Sequence, residues 1–101
     1  MTDKNLDPLG ELQAWYAARC DGGWEHQYGI DIDTMDNPGW SLKIDTCGTY
    51  LFERAFETIN VQGADKNDWY NCKVVPGKFE AFCGPRRLSD VISIFLAWAR
   101  E

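Results

Sequence analysis

A chain of 101 residues with 45% hydrophobic and 14% aromatic content carries enough apolar material for one core in one domain spanning residues 1–101, which excludes a disordered or low-complexity segment. Its formal charge of −6 excludes the clustered basic surface that a phosphate backbone requires, and with it nucleic acid as a partner. No apolar run approaches the ~20 residues that cross a bilayer, and the opening residues MTDKNLDPLG carry no basic-then-apolar leader, so the expected setting is the cytoplasm, with no membrane partner.

In chain order, Asp7-Pro8 reads as a helix start, with Asp as N-cap and Pro in the first helical position. Leu9, Leu12, Trp15, Tyr16 and Cys20 follow at helical spacing, and Gly22-Gly23 ends the run. Tyr28, Ile30, Ile32 and Thr34 then alternate with Gly29, Asp31, Asp33 and Met35, which is strand periodicity. A second strand carries Trp40, Leu42 and Ile44 inward. Residues directly opposite one another share a face, so joining the two apolar faces requires an odd-length loop or a bulge, and Asn37-Pro38-Gly39 supplies a loop of three residues. That register sets Thr34 against Leu42, Ile32 against Ile44, Asp33 against Lys43, and Asp31 against Asp45. The last pair sets like charges opposite each other, which disfavours a sheet.

Tyr50 to Val61 reads as a strand interrupted by a bulge near Glu53-Arg54. After a polar loop, Tyr70, Cys72 and Val74 point inward, and a Pro76-Gly77 turn pairs them with Cys83, Ala81 and Phe79. The chain closes on an amphipathic helix through Leu88, Val91, Ile92, Phe95, Leu96, Trp98 and Ala99, with Ser89 or Asp90 near its start. The expected class is α+β: an antiparallel meander of about five strands, with an N-terminal and a C-terminal helix on one face. The other face meets water or a partner.

Chemistry is sparse. His26 is the sole histidine and follows Glu25, so a hydrolase reading makes His26 a general base oriented by Glu25. The four cysteines, Cys20, Cys47, Cys72 and Cys83, form no C-x-x-C pair, which leaves a zinc site unsupported and reads as reduced thiols. A sulfurtransferase needs one exposed, activated thiol; Cys72 and Cys83 fall on inward positions, Cys20 packs at a helix end, and Cys47 beside Gly48 is the accessible one. No catalytic, cofactor-binding or metal-binding residue is assigned. The acids are more suggestive, because Asp21, Glu25, Asp31, Asp33, Asp36 and Asp45 lie close in sequence, opposed by Lys43. Such a cluster steers a cationic partner, and Trp69 and Phe82 on the outer face supply aromatic anchors.

The segments L-Q-A-W-Y at 12–16, C-D-G-G-W-E-H-Q-Y-G-I at 20–30, T-M-D-N-P-G-W at 34–40, D-W-Y-N-C at 68–72 and I-F-L-A-W at 94–98 resemble those of the immunity protein 53 family of bacterial polymorphic toxin systems. The resemblance implies a protein that binds and neutralises the C-terminal toxin domain encoded by a neighbouring gene, in competition between bacteria, and no enzyme. It marks Trp24, Glu25, His26, Asp36, Asn37 and Trp40 as family-like. Together with the charge pattern it makes Asp31, Asp33, Asp45, Trp69, Glu25, His26 and Asp36 the expected contacts with a basic toxin, a nuclease being the class such acids suit. The alternatives are a small enzyme, either a cysteine-based sulfurtransferase or a His26-dependent hydrolase, and a scaffold or adaptor that self-associates through the outer sheet face.

Overall fold

A computed structural model describes residues 7–100; the reading of residues 1–6 as free of a leader lies outside them. Helix α1 (Pro8–Arg19) is followed by a single turn, α2 (Trp24–Gln27), and by strands β1 (Ile30–Met35) and β2 (Gly39–Asp45). A long connection leads to β3 (Ile59–Gln62), β4 (Trp69–Val75) and β5 (Lys78–Cys83), and helix α3 (Leu88–Ala99) follows. All strand pairs are antiparallel, in the order β1-β2-β5-β4-β3. The α+β class, the five strands and the helices at either end are as the sequence predicts. The strand order differs from a simple meander, because β5 inserts between β2 and β4 and leaves β1 and β3 as the two edges.

The core forms where α3 lies on the inner sheet face. Val91, Ile92, Phe95, Leu96 and Ala99 are buried along one stripe of α3, against Leu42, Ile44, Cys72, Phe79, Ala81 and Cys83 of the central strands. Phe79 and Phe95 meet at 5.2 Å between ring centroids and are fully buried, each contributing ~1.5–3 kcal/mol by leaving water. From α1, Leu12 and Trp15 are buried, and Trp15 meets Phe95 edge-to-face at 5.0 Å.

The β4–β5 hairpin has the predicted register, Val74 with Phe79, Cys72 with Ala81 and Tyr70 with Cys83. Its turn holds because Gly77 takes φ 83°, the left-handed conformation that the second central position of a type II turn requires. The β1–β2 hairpin corrects the sequence reading. Its loop is three residues, but Asp36-Asn37-Pro38, so that Ile30 faces Ile44, Asp31 faces Lys43, Ile32 faces Leu42, Asp33 faces Ser41 and Thr34 faces Trp40. The expected Asp31/Asp45 pair does not exist. Gly39 joins the strand instead of the loop because its backbone runs so close to the Cys83 carbonyl that a Cβ there would clash.

Residues 50–58 are not a strand; β3 begins only at Ile59. Their side chains serve the end of α3, whose last carbonyls have no partner within the helix. The Tyr50 hydroxyl donates to the Ala99 carbonyl at 2.7 Å and accepts from Trp15 Nε1 at 3.1 Å. Arg54 Nη1 donates to the carbonyls of Trp98 and Arg100 at 3.0 Å, and Trp98 Nε1 donates to the Ala55 carbonyl at 2.8 Å. Phe56 packs on Phe79 and Trp98. Neither long helix uses an expected side-chain cap. Asp7 precedes α1 without a capping bond. Helix α3 starts after Arg87 rather than at Ser89 or Asp90, and Asp90 instead accepts from Arg87 Nη1 at 3.0 Å.

Candidate functional site

The segment 20–28 is built around two carboxylates. Asp21 Oδ1 accepts from the amides of Gly23 (2.9 Å) and Trp24 (3.0 Å), satisfying donors at the start of α2. Glu25 reaches back, Oε1 to the Asp21 amide at 2.9 Å and Oε2 to the Gly22 amide at 2.8 Å. These bonds favour the ionised forms. Asp21 lies below the usual carboxylate range through the amides of Trp24 and Gly23, and Glu25 through its own amide and those of Asp21 and Gly22. Trp24 is buried, donates its indole N–H to the Cys47 carbonyl at 2.8 Å, and lies edge-on to Trp15 and Tyr16. Within W-E-H, then, Trp24 and Glu25 hold the segment together, and His26 is exposed. Adjacent on one helical turn, Glu25 and His26 share no hydrogen bond, and both carboxylate oxygens of Glu25 already accept from backbone amides.

The cysteines divide by burial. Cys72 and Cys83 are buried; burial pushes the Cys72 thiol up to about 12, with Cys83 adding to it, and burial pushes Cys83 up to about 11. Thiolate chemistry is suppressed at both. Cys47 is half-buried, with Sγ lying against Gly77. Cys20 is exposed at the end of α1, contrary to the packed position expected of it, and its thiol donates to the Tyr16 carbonyl at 3.3 Å. Among the described residues no group of three or more His, Cys, Asp or Glu side chains is placed to hold a metal ion.

On the outer face of the sheet the observed register turns the expected acidic patch into an alternating row. Asp31, Lys43, Glu80 and Lys73 stand side by side across β1, β2, β5 and β4, with Lys73 and Glu80 at 3.9 Å. Asp45 is drawn out of the cluster: one oxygen accepts from the Gly29 amide at 2.9 Å and the other lies 3.7 Å from Lys78 Nζ. Lys43 is therefore not the lone opposing cation. Asp33 faces only Ser41, and Asp36 is exposed in the turn beyond it. Trp69 is half-buried on the same face, three strands from β1, or roughly 14 Å at the ordinary strand spacing. The structure places exposed Asp31 and Asp33 on the β1 edge and exposed Asp36 in the turn after it, while exposed His26 lies in α2, which precedes the strand in the chain.

Sequence reasoning missed what lies on the other side of β1. A cleft of about 370 Å³ runs between α1 and β1, lined by Leu9, Leu12, Gln13, Tyr16, Gly29, Ile30 and Ile32. Leu9 is 50% exposed, and Tyr16 and Ile32 are each 38% exposed. The signal was the width of the apolar arc on α1: Leu12 and Trp15 suffice to reach the core, while Leu9 and Tyr16 stand on the next stripe, one heptad apart. A larger cleft of about 920 Å³, between the β3–β4 loop and the start of α3, is lined by Asp65, Asn67, Asp68, Pro85, Arg86 and Arg87. There Arg87 Nε bonds Asp68 at 2.6 Å, so a paired ion ties loop to helix, and the acids of β1 take no part.

The model of one protein family, immunity protein 53, matches residues 9–100. The chain belongs to the immunity protein 53 family. The match takes in both long helices and every strand, so family membership and fold concern the same residues. No curated protein matches this immunity protein, and no solved structure does. Among its described residues, no helix is long and apolar enough to cross a membrane.

Proposed function

We propose that the chain is an immunity protein that binds the C-terminal toxin domain encoded by a neighbouring gene in a one-to-one complex, and so neutralises it inside the producing bacterium. The observation that carries this reading is the family match over residues 9–100. The chemistry agrees with it: two of the four thiols are buried with raised pKa values, and the carboxylate beside the sole histidine is occupied by backbone amides. The role is one of occupation, with no cofactor and no turnover.

The toxin surface that is met is basic, as on a nuclease that grips phosphates, and exposed Asp31 and Asp33 attract it, with Asp36 and His26 flanking them. Acids at an interface act chiefly on association rate and on the choice of partner. Glu25 and Asp45 contribute charge from fixed positions, and Trp69 lies at the periphery of the contact. The test is co-expression of this chain with the C-terminal domain of the adjacent upstream gene product. Growth rescue together with a co-purifying 1:1 complex supports the reading; rescue or complex absent at matched expression overturns it.

A further inference from the structure

Strand β1 is an edge, and its backbone polarity can be assigned. The Asp45 amide donates to the Gly29 carbonyl at 3.0 Å, and the Thr46 amide donates to the Gly77 carbonyl at 2.9 Å. Odd-numbered residues of β2 therefore bond β1 and even-numbered ones bond β5. By the alternation of an antiparallel ladder, Asp31, Asp33 and Met35 spend their N–H and C=O groups on β2. Those of Ile30, Ile32 and Thr34 point away from the sheet, and among the described residues no strand receives them.

Edges of this kind are ordinarily blunted, and on the outer side Asp31 and Asp33 do so. On the inner side the edge is left apolar: Ile30 and Ile32 border the cleft whose far wall is Leu9, Leu12 and Tyr16. Among the described residues, three of the six large hydrophobic side chains that are exposed, Leu9, Tyr16 and Ile32, belong to this cleft, so exposure is concentrated beside an edge ladder. An added strand would send alternate side chains to opposite faces, one set into the cleft and the other beside Asp31 and Asp33.

We propose that the β1 edge and the cleft beside it take an extended segment of the toxin domain, matching the six residues of β1, in which apolar residues alternate with Lys or Arg. This rests on the reading that the partner is a basic toxin domain. Charge selects the occupant. Self-pairing of two copies centred on Ile32 sets Asp31 of one against Asp33 of the other, like charges that disfavour the pair. The opposite edge, β3, is four residues long with Asn60 and Gln62 outward, and offers a basic segment no carboxylate.

Amide hydrogen exchange of the full chain, alone and with the C-terminal domain of the adjacent gene product, tests the inference. In the complex the amides of Ile30, Ile32 and Thr34 slow by about tenfold or more, since free edge amides open to water and paired ones do not. Ile32→Pro removes an outward donor without touching the β1–β2 ladder, and Leu9→Glu alters the cleft rim. Each weakens the complex by about tenfold or more, with Leu9→Glu as the arm that holds should Ile32→Pro fail to fold. A complex that forms with those three amides unchanged and Leu9→Glu binding as wild type overturns the inference and leaves the immunity reading standing. So does protection at Asn60 and Gln62 instead, or protection that grows with the concentration of this chain alone. Failure of any complex to form overturns the immunity reading itself.

Discussion

Asp31 stands directly opposite Lys43 across the β1–β2 pair. Lys43 in turn faces Glu80, so one lysine sits between two carboxylates on the outer face. Lys43→Glu replaces two favourable cross-strand pairs with two repulsive ones, each worth ~0.2–1 kcal/mol. The expected loss is about 1–2 kcal/mol by urea denaturation at low ionic strength, shrinking toward that of Lys43→Met as salt screens it. Equal losses for both variants at all salt concentrations contradict the alternating row.

Trp24 spends its indole N–H on the Cys47 carbonyl while its ring fills space beside Trp15. Trp24→Phe keeps most of the apolar contact and leaves that carbonyl without its donor, an expected loss of about 1–3 kcal/mol. Trp24→Ala removes the ring as well and costs about 3–5 kcal/mol. A Trp24→Ala protein that melts with wild type shows the ring to be idle in the fold.

Asp21 and Glu25 both lie below the ordinary carboxylate range in the folded chain. A depressed folded value contributes stability that is present above the unfolded value and lost as pH falls through the folded one. The turn at 20–25 therefore holds fully above about pH 5 and loosens progressively below about pH 4. Amide exchange at Gly22, Gly23 and Trp24, corrected for the intrinsic pH dependence of exchange, checks this. In Asp21→Asn the acid-dependent loosening is reduced.

Much of the fold was legible because its signals are local. The β4–β5 register follows from two strands of clear parity and a Pro-Gly turn, and α3 from an unbroken apolar stripe. The β1–β2 register slipped by two residues because loops 36–38 and 37–39 satisfy parity equally. The deciding contact, Gly39 beside the Cys83 carbonyl, comes from a strand more than forty residues on. Residues 50–58 were misread as a strand for a related reason: Tyr50, Ala55 and Arg54 find their partners 43 to 49 residues away, and no periodicity records that. At the site, the acids could be named from sequence, but not which were already committed. Asp45 belongs to Gly29 and Lys78, and Glu25 to its own turn, which leaves Asp31 and Asp33 on the strand and Asp36 in the turn after it.

Thiol reactivity separates exposed from buried cysteine. Cys20 is expected to react with an aromatic disulfide reagent in the native protein, and Cys72 and Cys83 only at the rate of unfolding, since both are buried with thiols at about 12 and about 11. Titration of the native and the denatured protein, with each modified residue located by mass, checks the order. Native labelling of Cys72 or Cys83 as fast as Cys20 contradicts it.

If the carboxylates of β1 attract a basic toxin domain, as proposed, the association rate with the C-terminal domain of the adjacent gene product, measured across a range of salt concentrations, depends on them. For Asp31→Asn/Asp33→Asn the expected rate is lowered by about tenfold at low ionic strength, with a shallower salt dependence and little change at high salt. A rate and a salt slope equal to those of wild type contradict it.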